Sequence, residues 1–208
     1  HEAHRAVTEQ ERRYAYAVAA TDEGLWDWDI THDVVTCNAK WCELLGLDSS
    51  QLLRRVEDFY ALVHEADRDA VATTLRRALA GTSEYRMEFR MRRADGRIIW
   101  VQDRGDVVER NWEGLALRMV GCISDISARR QAELKLRQAA SVFMSSQDAI
   151  MISDDEGRII DVNPAFTRIT GYAREEALGQ HCGLIWAPDE APEIEEQIRA
   201  SLAVNGSW

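Results

Sequence analysis

The chain repeats itself at a distance of 125 residues. Without a gap, "EGLWDWDITHDVVTCNAKWCELLGLDSSQLL" (23–53) lies over "DAIMISDDEGRIIDVNPAFTRITGYAREEAL" (148–178). Asp29 then falls on Asp154, Asn38 on Asn163 and Gly46 on Gly171. Val34-Val35 fall on Ile159-Ile160, Trp41 on Phe166, Leu53 on Leu178 and Gly81 on Gly206. Identity is low, but apolar character and turn positions agree along the whole overlay. A period this long is that of a duplicated domain, since stacked repeats recur every 20–50 residues or so. The chain therefore folds as two copies of one unit.

Each copy opens with a short strand (25–30, 149–153), a polar turn and a second strand ending at Asn38 or Asn163. Either Asn accepts from the free N–H groups of a short helix. Gly46 and Gly171 then end those helices in the left-handed conformation favoured just past a helix. A further helical turn ("SSQLLRR", "AREEALG") and a longer helix ("DRDAVATTLRRALAG", "APEIEEQIRASLAVNG") follow. Only copy 1 continues. "EYRMEFRMRR" puts Tyr85, Met87, Phe89 and Met91 on one face and charges on the other, the pattern of a half-buried strand. "ADG" (94–96) turns the chain into "RIIWVQDRGDVVER", and "NWEG" turns it again into "LALRMVGCISDI". The unit is α+β. Copy 2 ends where its own three-strand meander should start, so it is expected to be marginal without a partner.

Hydrophobic residues at 46% and charged residues at 29% suit a globular chain, and the net charge of −11 argues against nucleic acid or a polybasic membrane contact. No run approaches the ~18 apolar residues of a membrane span. With no signal peptide and no initiator Met, the sequence reads as a piece of a cytoplasmic protein whose anchor, if any, lies elsewhere. Cys37, Cys42, Cys122 and Cys182 form no C-x-x-C pair and read as reduced core residues. No catalytic motif or metal-ligand spacing occurs, so neither a catalytic residue nor a metal is expected.

"GCISDISARRQAELKLRQAASVF" (121–143) runs from strand into helix with only Asp125-Ile126-Ser127 between. Asp125 and Ser127 can accept from free N–H groups at the helix start, and Asp125 stands four residues before Arg129. Beyond, Ala132, Leu136, Ala139 and Phe143 form a narrow coiled-coil seam. In the N-terminal helix, Val7, Tyr14 and Val18 have the same phase. A homodimer through these helices is expected. A plain spacer, or a seam packed back on its own domain, stays open.

These patterns resemble the PAS sensory domain, in copy 1 through "GLWDWDI", "VHEADRDAV", "EFRMRRADGRIIWV" and "GCISDIS". In copy 2 "ISDDEGRIIDVNPAFTRITGYAREEALGQ" carries the resemblance, and it is similar to PAS copies upstream of GGDEF and EAL domains. The resemblance implies a five-stranded antiparallel sheet with helices on one face. It divides the chain into an N-terminal helix (1–20), a complete PAS domain (21–127), a signalling helix (128–145) and a truncated second PAS domain (146–208). It implies a sensor without enzymatic activity of its own, relaying through Asp125, Ile126, Ser127 and Arg129. The effector, C-terminal to this piece, would be a cyclic di-GMP cyclase or phosphodiesterase, with a histidine kinase or a ligand-free dimerisation module as alternatives.

A PAS pocket lies between sheet and helices. Met87, Phe89, Met91 and Met119 would face it, with Trp28, Trp41 and Phe59 on its border; an ordinary packed core is the competing reading. Asp27 overlays Ile152 and, if buried, needs a partner, Arg104 or a polar ligand, which makes Asp27 and Arg104 pocket candidates too. No fingerprint marks a cofactor: a non-covalent flavin is left open, the light-oxygen-voltage cysteine motif is missing, and His64 in "VHEADR" is structural rather than a haem ligand.

Overall fold

The computed structural model describes residues 22–48 and 55–186, together with 197, 200 and 201. It divides into two compact units, His1–Ala132 and Glu133–Trp208. Expectations for the N-terminal helix, with Val7, Tyr14 and Val18, lie outside the described residues, as do 49–54 and most of the long helix of copy 2.

In the first unit β1 (Gly24–Asp29) and β2 (Val34–Cys37) form a hairpin. Three helices follow, α1 (Ala39–Leu45), α2 (Val56–Leu62) and α3 (Arg68–Leu79), with a 3-10 turn at Glu65–Asp67 before the last. The chain then runs through β3 (Tyr85–Arg92), β4 (Ile98–Arg110) and β5 (Ala116–Asp125). These make one five-stranded sheet in the order β2-β1-β5-β4-β3, antiparallel throughout. Strand β1 thus pairs with the last strand of the unit, and this long-range closure joins the halves of the fold.

Period-two alternation decides which side chains enter the core. On β3, Tyr85, Phe89 and Met91 are buried and Met87 half-buried, whereas Arg86 and Arg92 are exposed. They meet Trp41, Leu44 and Leu45 of α1 and Val71 and Leu75 of α3, with Val101, Met119 and Ile123 from β4 and β5. Helix α2 was not expected from "VEDFYAL". It is one of the shorter helices, but Phe59 meets Phe89 edge-on at 6.1 Å and anchors it. Only Cys42 is buried; Cys37, Cys122 and Cys182 are half-buried, so three of the four are less deep than expected.

The second unit holds β6 (Met151–Ser153) and β7 (Ile159–Val162), then α5 (Pro164–Thr170) and α6 (Arg174–Ala177). Ile159, Val162, Phe166 and Ala177 form its small core. The repeat holds atom by atom. Asn38 Oδ1 accepts from the backbone N–H groups of Trp41 and Leu25, both at 2.9 Å. Asn163 Oδ1 accepts from those of Phe166 and Ile150, also at 2.9 Å. Gly46 and Gly171 close the following helices at φ of 66° and 83°. Among the described residues no helix is long and apolar enough to cross a membrane.

Candidate functional site

One row across the inner face of the first sheet sets up the site. Its residues in register are Cys37, Trp26, Gly121, Gly105 and Tyr85, one from each strand. The two glycines leave a trough, and the Trp26 indole lies in it. A Cβ on Gly105 would stand 2.5 Å from the indole Cη2, and one on Gly121 would collide with both the ring and the Arg104 carbonyl. The indole therefore spans two strands. Its Nε1–H donates to Asp103 Oδ1 at 2.8 Å, and its edge meets the Tyr85 ring at a centroid distance of 6.2 Å. The Tyr85 hydroxyl donates to the other oxygen, Asp103 Oδ2, at 2.9 Å.

Asp103 is 2% exposed. It borders a cavity of about 40 Å³ walled by Trp26, Trp28, Trp41, Phe59 and Tyr85. Burial pushes its carboxyl up to about 7, although Trp26, Tyr85 and the Arg104 backbone N–H all pull the other way. Burial also raises the Tyr85 phenol well above its ordinary range and the Cys37 thiol to about 12. Among the described residues no Lys, Arg or His lines the cavity.

Of the residues expected at a pocket, Trp28, Trp41 and Phe59 do line this one. Met87, Phe89, Met91 and Met119 share the inner face but pack in the core around it. Asp27 and Arg104 do not belong. Alternation sends them to the opposite face, where Asp27 pairs with Arg118 at 2.7 Å and Arg104 with Glu23 at 2.9 Å. Ile152, the counterpart of Asp27, is itself 45% exposed, so the overlay gave no reason to bury Asp27. Trp26, Tyr85 and Asp103 are site residues beyond those expected from the sequence. The signal was there: Ile99, Val101, Asp103 and Gly105 alternate inward, which puts a carboxylate in an apolar row.

At the far end of β5 the sheet is tied to α4 (Ser127–Ser145). Asp125 Oδ1 accepts from the Ser127 N–H at 2.8 Å, and Ser127 Oγ accepts from the Trp100 N–H of β4 at 2.9 Å. The Ile126 N–H donates to the Trp100 carbonyl at 2.9 Å while its side chain is buried. Arg129 meets Glu88 of β3 at 2.6 Å, a partner the sequence did not suggest. Arg130 meets the same carboxylate at 2.7 Å and stacks 3.8 Å over the Trp100 ring. These arginines, Arg130 first, hold the Glu88 carboxyl below its usual range. Three strands thus grip the first turn of one helix. Ser127→Ala leaves the Trp100 N–H without that acceptor. It is expected to cost about 1 kcal/mol of unfolding free energy in denaturant titration and to speed amide exchange at Trp100; unchanged exchange would show that the tie is not closed in solution.

Residues 34–123 match the family model "PAS fold", and residues 147–206 match the model "PAS domain". The sensor protein FixL of Bradyrhizobium diazoefficiens is 25% identical over 78% of this chain and 33% of its own length. The probable diguanylate cyclase DgcE of Escherichia coli K12 is 25% identical over 80% of this chain and 15% of its own. The chain therefore spans a third or less of these relatives. A solved structure of a sensory box histidine kinase/response regulator from Burkholderia thailandensis superposes with a TM-score of 0.54 and 29% identity, covering 62% of this chain and 95% of that one. The five-stranded sheet, the repeat and both family matches agree: the chain belongs to the PAS family and is a tandem of PAS sensor domains, related to those of histidine kinases and diguanylate cyclases.

Proposed function

We propose that the first PAS domain (21–127) senses a small molecule in the cavity beside Asp103. Its state would pass through Asp125, Ile126, Ser127 and Arg129 into α4, acting as the signalling helix (128–145) of a cytoplasmic homodimer. The second PAS domain (146–208) would carry the signal on to an effector, a cyclic di-GMP enzyme in the parent protein. The grip of β3, β4 and β5 on the first turn of α4 carries this reading: Trp100 cannot shift without moving Ser127 or Arg130. A histidine kinase effector is the second reading, favoured by the likeness to the Burkholderia sensory box histidine kinase. This piece is read as non-catalytic.

At about 40 Å³ the cavity is smaller than the roughly 300–1,000 Å³ of cofactor pockets, so a flavin would require it to open. Support for the dimer comes from α4, where Leu136 on the expected seam is 73% exposed. Ala132 and Ala139 are exposed and Phe143 half-buried. Leu136→Lys is expected to turn a dimer into a monomer in sedimentation; an unchanged mass would remove the seam. For the relay, Asp125→Ala should leave the domain folded and abolish regulation of the effector in the parent protein. Regulation that persists sinks the proposal.

A further inference from the structure

An apolar core has no use for a carboxyl group, yet Asp103 stands in this one with 2% exposure. Its neighbours are neutral donors. Trp26 comes from β1 and Tyr85 from β3; Cys37 of β2 and Tyr60 of α2 stand near them, and burial keeps these thiol and phenol groups protonated near neutral pH. A buried carboxylate without a cation must bind a proton or leave its charge uncompensated. Around it stand five aromatic rings, Trp26, Trp28, Trp41, Phe59 and Tyr85. Ring faces attract cations, most of all where water is excluded.

Each class of ligand can be weighed against these walls. An anion would be repelled by Asp103. A neutral apolar molecule would fill the space but leave the carboxyl as it is. An organic cation gains from both, a charge-assisted hydrogen bond to Asp103 and aromatic walls against its methyl groups. Size narrows the class. A cavity of about 40 Å³ admits about three water-sized spheres, at roughly 10–15 Å³ each.

We propose that this cavity is a binding site for a small alkylammonium cation of the size of methylammonium or dimethylammonium, with Asp103 as its counter-ion and the aromatic rings as its walls. The proposal rests on the sensory reading and names its ligand. Binding displaces the proton that Asp103 otherwise holds, so affinity rises with pH up to about 7, where that carboxyl titrates, and then levels off.

The test is calorimetric titration of the 208-residue chain with methylammonium chloride and dimethylammonium chloride at fixed ionic strength, with potassium chloride as the blank. Saturable one-to-one binding is expected, roughly tenfold weaker at pH 6 than at pH 8. Asp103→Asn, close in shape, should weaken it at least thirtyfold. Val56→Phe, which fills the cavity and spares the carboxyl, should abolish it. Absence of saturable binding, or binding that survives both substitutions, overturns the proposal. Ethanol, neutral and of similar size, separates the two levels. If it binds as well as methylammonium, the cation assignment fails while a small-molecule sensor stands; the Asp125→Ala experiment tests that sensor independently.

Discussion

Replacing Asp103 by asparagine is expected to remove a dependence of stability on pH between about 4 and 7. The folded carboxyl titrates at about 7, against 3.8 for an unperturbed aspartate. Below the lower value both states hold the proton and stability is unaffected. Between the two values the folded state binds more proton than the unfolded one. Stability therefore falls as pH rises through this window, and is flat above it. At 1.36 kcal/mol per pH unit the full loss is about 4 kcal/mol. Asparagine cannot titrate, and its carbonyl still accepts from Trp26. Unfolding free energies of the two proteins, measured by denaturant at several pH values, should diverge across the window. Parallel curves would mean that the carboxyl ionises as an ordinary surface group does.

Gly121→Ala is expected to be the most damaging of the small substitutions. The new methyl would press on the Trp26 indole from one side and the Arg104 carbonyl from the other. The indole can swing away, but the carbonyl belongs to the β4 ladder and cannot. Overpacking of this kind costs about 3 kcal/mol or more, with a change in tryptophan fluorescence as the indole leaves its trough. Gly96→Ala is the control. It has open space around it but a φ of +83°, so only backbone strain of about 1–2 kcal/mol is at issue. If Gly121→Ala proves no worse than Gly96→Ala, the indole does not lie in the trough.

Much of the architecture was legible because it follows from local rules. Asn38 and Asn163 are capping residues by their chemistry, and the alternation of Tyr85, Met87, Phe89 and Met91 orients a strand wherever it lies. Helix α2 escaped because its stability comes from Phe59 on Phe89, a contact thirty residues away in the chain. The overlay of two weakly similar strands makes Asp27 only a conditional pocket candidate, and its own alternation with Trp26 and Trp28 places it outside. Helical spacing offers Asp125 to Arg129, but Glu88, on a strand forty-one residues earlier, is a partner that spacing has no means of naming.

By itself the sequence determined that this protein is a duplicated α+β unit with a helix leaving its last strand. Periodicity, caps and turns are properties of neighbouring residues, and they survive without knowledge of the fold. Only the tertiary structure decided that Trp26, Asp103 and Tyr85 meet. They come from three strands, and Gly105 and Gly121 bring them together through the space a missing Cβ leaves between strands. No local rule records that space.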